Sequence, residues 1–100
     1  MKILAFEREL PGASAAQFHA IAKAEALRVW ALYQHGPVRE LYFRADQDTA
    51  VLVLECPTEA DAAAALSTMP FVQQGLIAFD LISLKPYPGF ERLFNQNDRE

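Results

Sequence analysis

Helix-start and helix-stop signals divide this chain into six short segments, and the order of those segments restricts the fold more than any other feature. Ser14, followed three residues later by Gln17, has the spacing of a capping box and predicts the start of a long helix. That helix must end at Gly36-Pro37, because glycine favours a helix C-terminus and proline prevents continuation. Before the helix, the apolar segment Lys2–Glu9 is followed by Pro11-Gly12, which predicts a strand and a turn.

The second half of the chain carries signals of the same kinds. Two strand-like runs, VRELYFRA and AVLVLEC, are separated by the polar segment DQDT, which predicts a hairpin. Thr58 and Asp61 have the spacing of a helix cap, and the alanine-rich helix that follows must end before Pro70. The apolar run from Leu76 to Leu84 predicts a fourth strand. The predicted order is therefore strand, helix, strand, strand, helix, strand.

This order is that of the ferredoxin-like βαββαβ fold, an α+β sandwich with two helices on one face of a four-stranded antiparallel sheet. A chain of 100 residues suffices for one domain with a modest core, and 52% hydrophobic residues indicate a globular protein. We expect residues 1–86 to form the ferredoxin-like domain and residues 87–100 to form a C-terminal arm.

The predicted sheet has apolar side chains on both faces. Val51 and Val53 fall on one face of the third strand, whereas Leu52 and Leu54 fall on the other, and the fourth strand shows a similar pattern. Two helices cover only one face, so the other face needs a second layer. We expect a second copy of the same sheet, which gives a homodimer closed into an α/β barrel, or a higher oligomer.

Composition and charge exclude several classes of function. The net charge of −4 argues against a nucleic-acid partner and against binding to anionic membranes. The longest apolar runs, AVLVL and AAAAL, are too short to span a bilayer. Cys56 is the single cysteine, which excludes an intrachain disulfide and a cysteine metal cluster and favours a cytoplasmic location. The sequence contains neither a recognisable metal-ligand pattern nor a phosphate-binding glycine loop.

A carboxylate interrupts the apolar face of the first predicted helix. At about 100° per residue, Glu25 falls in the middle of an apolar arc, where an unpaired charge is costly. A hairpin centred near Gln47 would place Arg39 opposite Glu55, and would put Val51 and Val53 under the helices beside Leu41 and Phe43. The arc itself consists of Phe18, Ile21, Ala22, Val29, Leu32 and Tyr33.

Glu25, Arg39 and Glu55 would then meet between helix and sheet, and two interpretations remain open. In the first, burial and like charge raise the pKa of one carboxyl, which shuttles a proton while Arg39 holds an anionic substrate. In the second, the three residues form a buried ion network that binds nothing.

Aromatic residues and one histidine are candidates for substrate binding. His19 lies at the edge of the apolar arc, where it reaches a pocket mouth or remains a solvated surface residue. Tyr42 lies on the opposite face of the second strand, where it lines a pocket or the dimer interface. Trp30, Tyr33 and Phe43 are the candidates for an aromatic pocket, although packing explains Trp30 equally well.

The stretch from Lys23 to Pro70 resembles the muconolactone isomerase family of small dimeric α/β barrel proteins. The resemblance implies that the sheet packs on a partner's sheet and that the protein transfers a proton on a small lactone acid without a metal or organic cofactor. It also implies roles for Glu25 as the helix acid, Arg39 as the strand basic residue and Glu55 as the strand-end acid. The matching pattern consists of Glu25, Gly36, Arg39, Leu41, Glu55–Thr58, Leu66, Pro70 and Phe71.

Three functions follow as hypotheses. The first is a cofactor-free isomerase-like enzyme that acts on a small lactone or acidic compound. The second is a non-catalytic dimeric ligand-binding or accessory protein, which predicts a closed interior with a mutually satisfied ion cluster. The third is a cofactor-independent monooxygenase of the same barrel architecture, which requires an aromatic-lined pocket.

The C-terminal run PYPGFERLF raises a separate question, because chain termini fray unless they have a surface to lie on. Pro86, Pro88 and Gly89 turn the chain out of the last strand. Phe90, Leu93 and Phe94 then have the spacing of one apolar side of a helical turn. We expect this arm to pack on the partner subunit.

Overall fold

The computed structural model describes residues 1–94, and within them the order of helices and strands follows the prediction. A third, very short helix and a terminal 3-10 turn are added to the expected pattern. The strands are β1 (Lys2–Glu9), β2 (Val38–Phe43), β3 (Ala50–Glu55) and β4 (Ile77–Ser83). The helices are α1 (Ala15–His35), α2 (Glu59–Leu66) and α3 (Pro70–Gln73), and Gly89–Leu93 form a 3-10 turn.

The four strands form one antiparallel sheet in the order β2-β3-β1-β4. The predicted ferredoxin-like α+β fold is therefore confirmed. None of the described helices is long and apolar enough to cross a membrane.

The predicted caps begin both long helices. The Ser14 side chain accepts a hydrogen bond from the amide of Gln17 at 3.3 Å, and the Gln17 side chain accepts one from the Ser14 amide at 2.8 Å. Thr58 likewise accepts a bond from the amide of Asp61 at 3.1 Å. At Gly36, an added Cβ would lie 2.9 Å from the carbonyl oxygen of Leu32, which explains why a residue without a side chain ends α1.

The core lies between the helices and one face of the sheet. Ile3 and Ala5 of β1 pair with Leu54 and Leu52 of β3, and all four side chains are buried on this face. Burial of each leucine side chain stabilises the fold by about 1.5–3 kcal/mol. The rest of this core consists of Leu32, Val38, Cys56, Ala62, Leu66 and Met69.

The predicted hairpin register was wrong by one residue. Arg44 donates its amide to the carbonyl of Thr49, so the hairpin is centred between Asp46 and Gln47 rather than near Gln47. A bulge also interrupts the pairing of β2 with β3 between Val38 and Glu40. The observed pairs are Leu41 with Leu52, Tyr42 with Val51 and Phe43 with Ala50.

This register assigns the two faces of β3. A shift of one residue moves a strand's side chains to the opposite face. Leu52 and Leu54 therefore lie under the helices, whereas Val51 and Val53 lie on the face that the helices do not cover. The prediction that β3 has apolar residues on both faces is correct, but the assignment of Val51 and Val53 to the helix side was wrong.

The uncovered face of the sheet carries an apolar patch. Leu4 pairs with Val53 on one side and with Ile82 on the other, and Phe6 pairs with Val51, so these side chains form a continuous patch. Ile82 is 50% exposed, and the other four are partly buried. Contiguous exposed apolar patches are typical of interaction surfaces.

The described part of the C-terminal arm carries exposed aromatic side chains. Tyr87 and Phe90 pack on each other at 5.0 Å between ring centroids, and each is 66% exposed. Leu93 and Phe94 are even more exposed. The rest of the predicted arm, residues 95–100, lies outside the described residues.

Candidate functional site

A cavity of about 360 Å³ lies between α1 and the β2–β3 end of the sheet. Its helix wall has small residues, Ala22 and Ala26, on either side of Glu25, which leaves the carboxylate room to face the cavity. Its volume falls in the range of small-molecule pockets, about 300–1,000 Å³. The sheet contributes Glu7, Leu41, Tyr42, Phe43, Ala50 and Leu52, and the remaining walls are Val29, Met69 and Phe71.

Glu25 is held in place by the start of α3. The residue is 7% exposed, and its Oε1 accepts a hydrogen bond from the amide of Phe71 at 2.9 Å. Met69, at the N-cap of α3, makes no side-chain cap, and Pro70 has no amide hydrogen. The Glu25 carboxylate therefore takes the place of the missing cap, which fixes the orientation of its side chain.

The environment of Glu25 raises its pKa. The main cause is burial, which disfavours the charged form, and the negative charge of Glu7 adds to it. The hydrogen bond from the Phe71 amide acts in the opposite direction. The prediction that Glu25 lies in the buried stripe of the helix is confirmed.

Glu7 is a second carboxylate in the cavity, and the sequence reasoning missed it. The half-buried side chain accepts a hydrogen bond from the amide of Ala50 at 3.2 Å. Burial raises the pKa of Glu7, with a smaller contribution from Glu9, and the Ala50 amide opposes the shift. Strand periodicity could have found this residue, because Glu7 follows buried Ile3 and Ala5 at every second position.

Arg39 and Glu55 do not join Glu25, so the predicted three-residue cluster was wrong as a geometric arrangement. Arg39 lies at the bulge, is exposed, and donates to the carbonyl oxygen of Gly36 at 3.1 Å. Glu55 forms an ion pair with the N-terminal ammonium of Met1 at 2.6 Å. This ammonium lowers the pKa of the Glu55 carboxyl.

Of the five predicted binding residues, Phe43 and Tyr42 border the cavity, but only Phe43 turns its side chain to the helix side of the sheet. Tyr42 pairs with Val51, so its side chain lies on the uncovered face. Its hydroxyl donates a hydrogen bond to Glu40 at 2.7 Å, which raises the pKa of Tyr42. Trp30 and Tyr33 are not among the cavity residues. They are exposed on α1, with ring centroids 5.9 Å apart.

His19 lies in an adjoining surface depression rather than in the cavity. This depression shares Glu7, Phe43 and Phe71 with the cavity, so His19 stands near its entrance. Phe71 itself packs edge-on against Phe18 at 5.0 Å between ring centroids. This contact joins α1 to α3. Helical periodicity does not predict it, because the two residues are far apart in the sequence.

No metal site is found in residues 1–94, where no three histidine, cysteine or acidic side chains are arranged as ligands. Cys56 is free and buried, and burial raises the pKa of its thiol. A thiolate nucleophile is therefore disfavoured at this position.

Comparison with known proteins gives a fold but no match at the level of sequence. No protein family and no curated protein is matched by this sequence. Among solved structures, muconolactone isomerase superposes with a TM-score of 0.71 at 18% identity, over 88% of this chain and 92% of that chain. The chain has the fold of muconolactone isomerase.

A second solved structure with this fold is a 5-chloro-2-hydroxyhydroquinone dehydrochlorinase from Burkholderia phenoliruptrix, in complex with 2,5-dihydroxybenzoquinone. Its TM-score is 0.66 at 16% identity, over 89% of this chain and 98% of that chain. The resemblance that the sequence predicted is thus confirmed in the fold.

Proposed function

We propose that this protein is a cofactor-free enzyme that moves a proton within a small organic molecule, with Glu25 as the proton carrier. The observation that carries the proposal is a buried carboxyl, with a raised pKa, in the wall of a cavity large enough for such a molecule. A general acid–base works best when its pKa is close to the working pH, and burial moves a glutamate in that direction.

The two oxygens of Glu25 would have different tasks. Oε1 is engaged by the Phe71 amide, and no donor from residues 1–94 is hydrogen-bonded to Oε2. Oε2 would take a proton from a carbon next to a carbonyl group, leaving an enolate, and would return it to another carbon of the same molecule. Electrons and atoms balance in this isomerisation, and no oxidant is needed.

The substrate we propose is a small cyclic oxygenated compound of the lactone class. The two structural neighbours are named for a muconolactone and for a chlorinated hydroxyhydroquinone. Both names support a small cyclic oxygenated compound, and the first supports the lactone class. The apolar walls and the aromatic side chain of Phe43 suit a ring of this kind. Arg39 and Glu55 stand outside the cavity, and we give them no role in the reaction.

A cofactor-independent monooxygenase is the second candidate, and one observation favours it. Phe43 and Phe71 give the cavity an aromatic lining of the kind that such an enzyme requires. Oxygen consumption with hydroquinone-type substrates separates this candidate from an isomerase. The non-catalytic alternative predicts a closed interior and an ion cluster of Glu25, Arg39 and Glu55. The structure supports it less well, because it has a cavity beside Glu25, and Arg39 and Glu55 bond to other groups.

We also propose that the protein works as a homodimer in the cytoplasm. The uncovered apolar patch formed by Leu4, Phe6, Val51, Val53 and Ile82 supports pairing of two sheets. The exposed side chains of the arm support its packing on the partner. A lone free cysteine is compatible with a reducing compartment.

Proton exchange in D₂O tests the proposed chemistry before the natural substrate is known. A panel of butenolides and cyclic enols is incubated with the protein, and the loss of C–H signals beside the carbonyl is followed by NMR. We expect exchange with the wild type, and at least about 100-fold slower exchange with Glu25→Gln. Glu59→Gln serves as the matched control, because Glu59 lies on α2 and outside the cavity. Equal rates for Glu25→Gln and wild type would exclude Glu25 as the proton carrier.

A further inference from the structure

The charged groups of the cavity have one sign. Glu7 on β1 and Glu25 on α1 reach it from different walls, and no lysine, arginine or histidine of residues 1–94 is among its lining. Each carboxylate has one oxygen bonded to a backbone amide, that of Ala50 or Phe71. No described donor is bonded to the other oxygen of either carboxylate, so each retains capacity to accept a bond from a ligand.

The approach to the cavity is also negative. The adjoining depression contains Glu9 and Asp48 in addition to Glu7, with His19 as its single basic side chain among the described residues. The guanidinium groups near the sheet are engaged elsewhere. Arg8 pairs with Asp80, and Arg44 pairs with Asp46. Arg39 donates a hydrogen bond to the carbonyl oxygen of Gly36.

We propose that the cavity selects uncharged small molecules that bring a hydroxyl or enol donor, that it rejects anions, and that Glu7 acts with Glu25 as the second carboxylate that sets this selectivity. The proposal rests on the proposed function, since it names the substrate class of the same site. The proposal also excludes the small acidic compounds that the sequence analysis had included among possible substrates. An acidic compound would need a cationic side chain such as Arg39, and Arg39 lies outside the cavity.

Electrostatics gives the size of the effect. A ligand anion in the cavity is repelled by carboxylates of like charge, and this repulsion is stronger in a partly buried site than in water. We therefore expect an anion to bind at least about tenfold more weakly than its neutral isostere.

A neutral donor also fits better than a cation. Most of the residues that line the cavity are apolar. A hydroxyl donor can bond to either carboxyl without bringing a charge out of water, whereas an ammonium group must lose its hydration among apolar walls.

Three phenols of similar size and different charge test the proposal by direct binding, without turnover. These are 4-hydroxybenzenesulfonamide, which is neutral, 4-hydroxybenzenesulfonate, which is an anion, and 4-hydroxybenzylamine, which is a cation at neutral pH. Binding is followed by amide NMR shifts of the wild-type protein at pH 7.5, with Phe71 and Ala50 as reporters of the cavity. We expect the sulfonamide to bind at millimolar concentration or tighter, and both charged probes to bind at least about tenfold more weakly.

Neutralising the two carboxylates should remove the discrimination against the anion. Gln keeps an oxygen for the backbone amides, so we expect Glu7→Gln/Glu25→Gln to fold and to bind sulfonate and sulfonamide with affinities within about threefold. Glu59→Gln is the control and should discriminate as the wild type does. The single variant Glu7→Gln should give an intermediate ratio, which separates the role of Glu7 from that of Glu25.

Several outcomes would overturn the inference. They are sulfonate binding equal to that of sulfonamide in the wild type, tighter binding of the amine than of the sulfonamide, discrimination unchanged in the double variant, and binding by none of the probes. These failures differ from failure of the proposed function, which is judged by proton exchange in Glu25→Gln. A protein with charge discrimination and without exchange would be a selective binder rather than an isomerase.

Discussion

The substitution Glu25→Gln should make the protein more stable at neutral pH, although it removes the proposed catalytic group. Gln has nearly the same volume, and its side-chain oxygen can still accept the hydrogen bond from the Phe71 amide. What it lacks is the buried charge. Because burial raises the pKa of Glu25 above 4.5 in the folded protein, the folded state binds this proton more tightly than the unfolded state does.

The sign of the pH dependence follows from that difference. The favourable contribution of the Glu25 proton to wild-type stability is fully present below pH 4.5 and is lost as the pH rises through the folded-state pKa. Within this window, the free energy of unfolding of the wild type falls relative to that of Glu25→Gln by at most about 1.4 kcal/mol per pH unit. A change of 1 kcal/mol shifts the melting temperature of a domain of this size by about 4–8 °C.

Urea unfolding at a series of pH values from about 4 to 8, followed by circular dichroism, measures this difference. All samples need the same protein concentration, because association of subunits would add to the apparent stability. Glu25→Ala is the matched variant, since it removes the charge and also the acceptor for Phe71. We expect it to be less stable than Glu25→Gln at every pH, by about 1–3 kcal/mol, because it leaves a buried amide without a partner.

Two results would refute this reasoning. A stability difference between wild type and Glu25→Gln that does not change with pH would mean that folding does not perturb Glu25. A wild type that gains stability over the variant as the pH rises would mean that the ionised form is the favoured one, and that burial is not the dominant influence.

The remaining predictions concern assembly. Deletion of Phe90–Glu100 should shift the protein from dimer towards monomer in light scattering, because it removes the exposed side chains that we propose pack on the partner. Unchanged association and melting would show that the arm has no such role. Val53→Asp, on the uncovered face, should yield a folded monomer, whereas Leu54→Asp, which is fully buried under the helices, should prevent folding. Equal effects of the two substitutions would contradict the assignment of the two faces.

Local signals in the sequence were enough to predict the helix boundaries and the fold. Ser14, Gln17 and Thr58 act within a few residues of their own position, through bonds to neighbouring amides. The order of segments then left the ferredoxin-like fold as the natural arrangement. Glu25 was also found from the sequence, because helical periodicity places it in an apolar stripe without reference to any other element.

The partners of Glu25 could not be predicted in the same way. Strand pairing depends on contacts between residues that are distant in the sequence. The observed register differs from the predicted one by one residue and has a bulge at Arg39, so Arg39 and Glu55 lie away from the cavity. The hydrogen bond from Phe71 to Glu25 likewise joins residues 46 positions apart. No periodicity within a single segment carries that information.

The sequence by itself thus determined where helices and strands begin and end, and that one acidic side chain would lie against the core. Only the tertiary structure decided which groups share its cavity. Glu25 shares the cavity with the carboxylate of Glu7 and not with Arg39 as predicted. The charged side chains of the site are therefore both acidic, whereas the prediction combined acidic and basic groups. The physical reason is that caps and turns depend on neighbours along the chain, whereas a cavity depends on the register in which separate strands and helices meet.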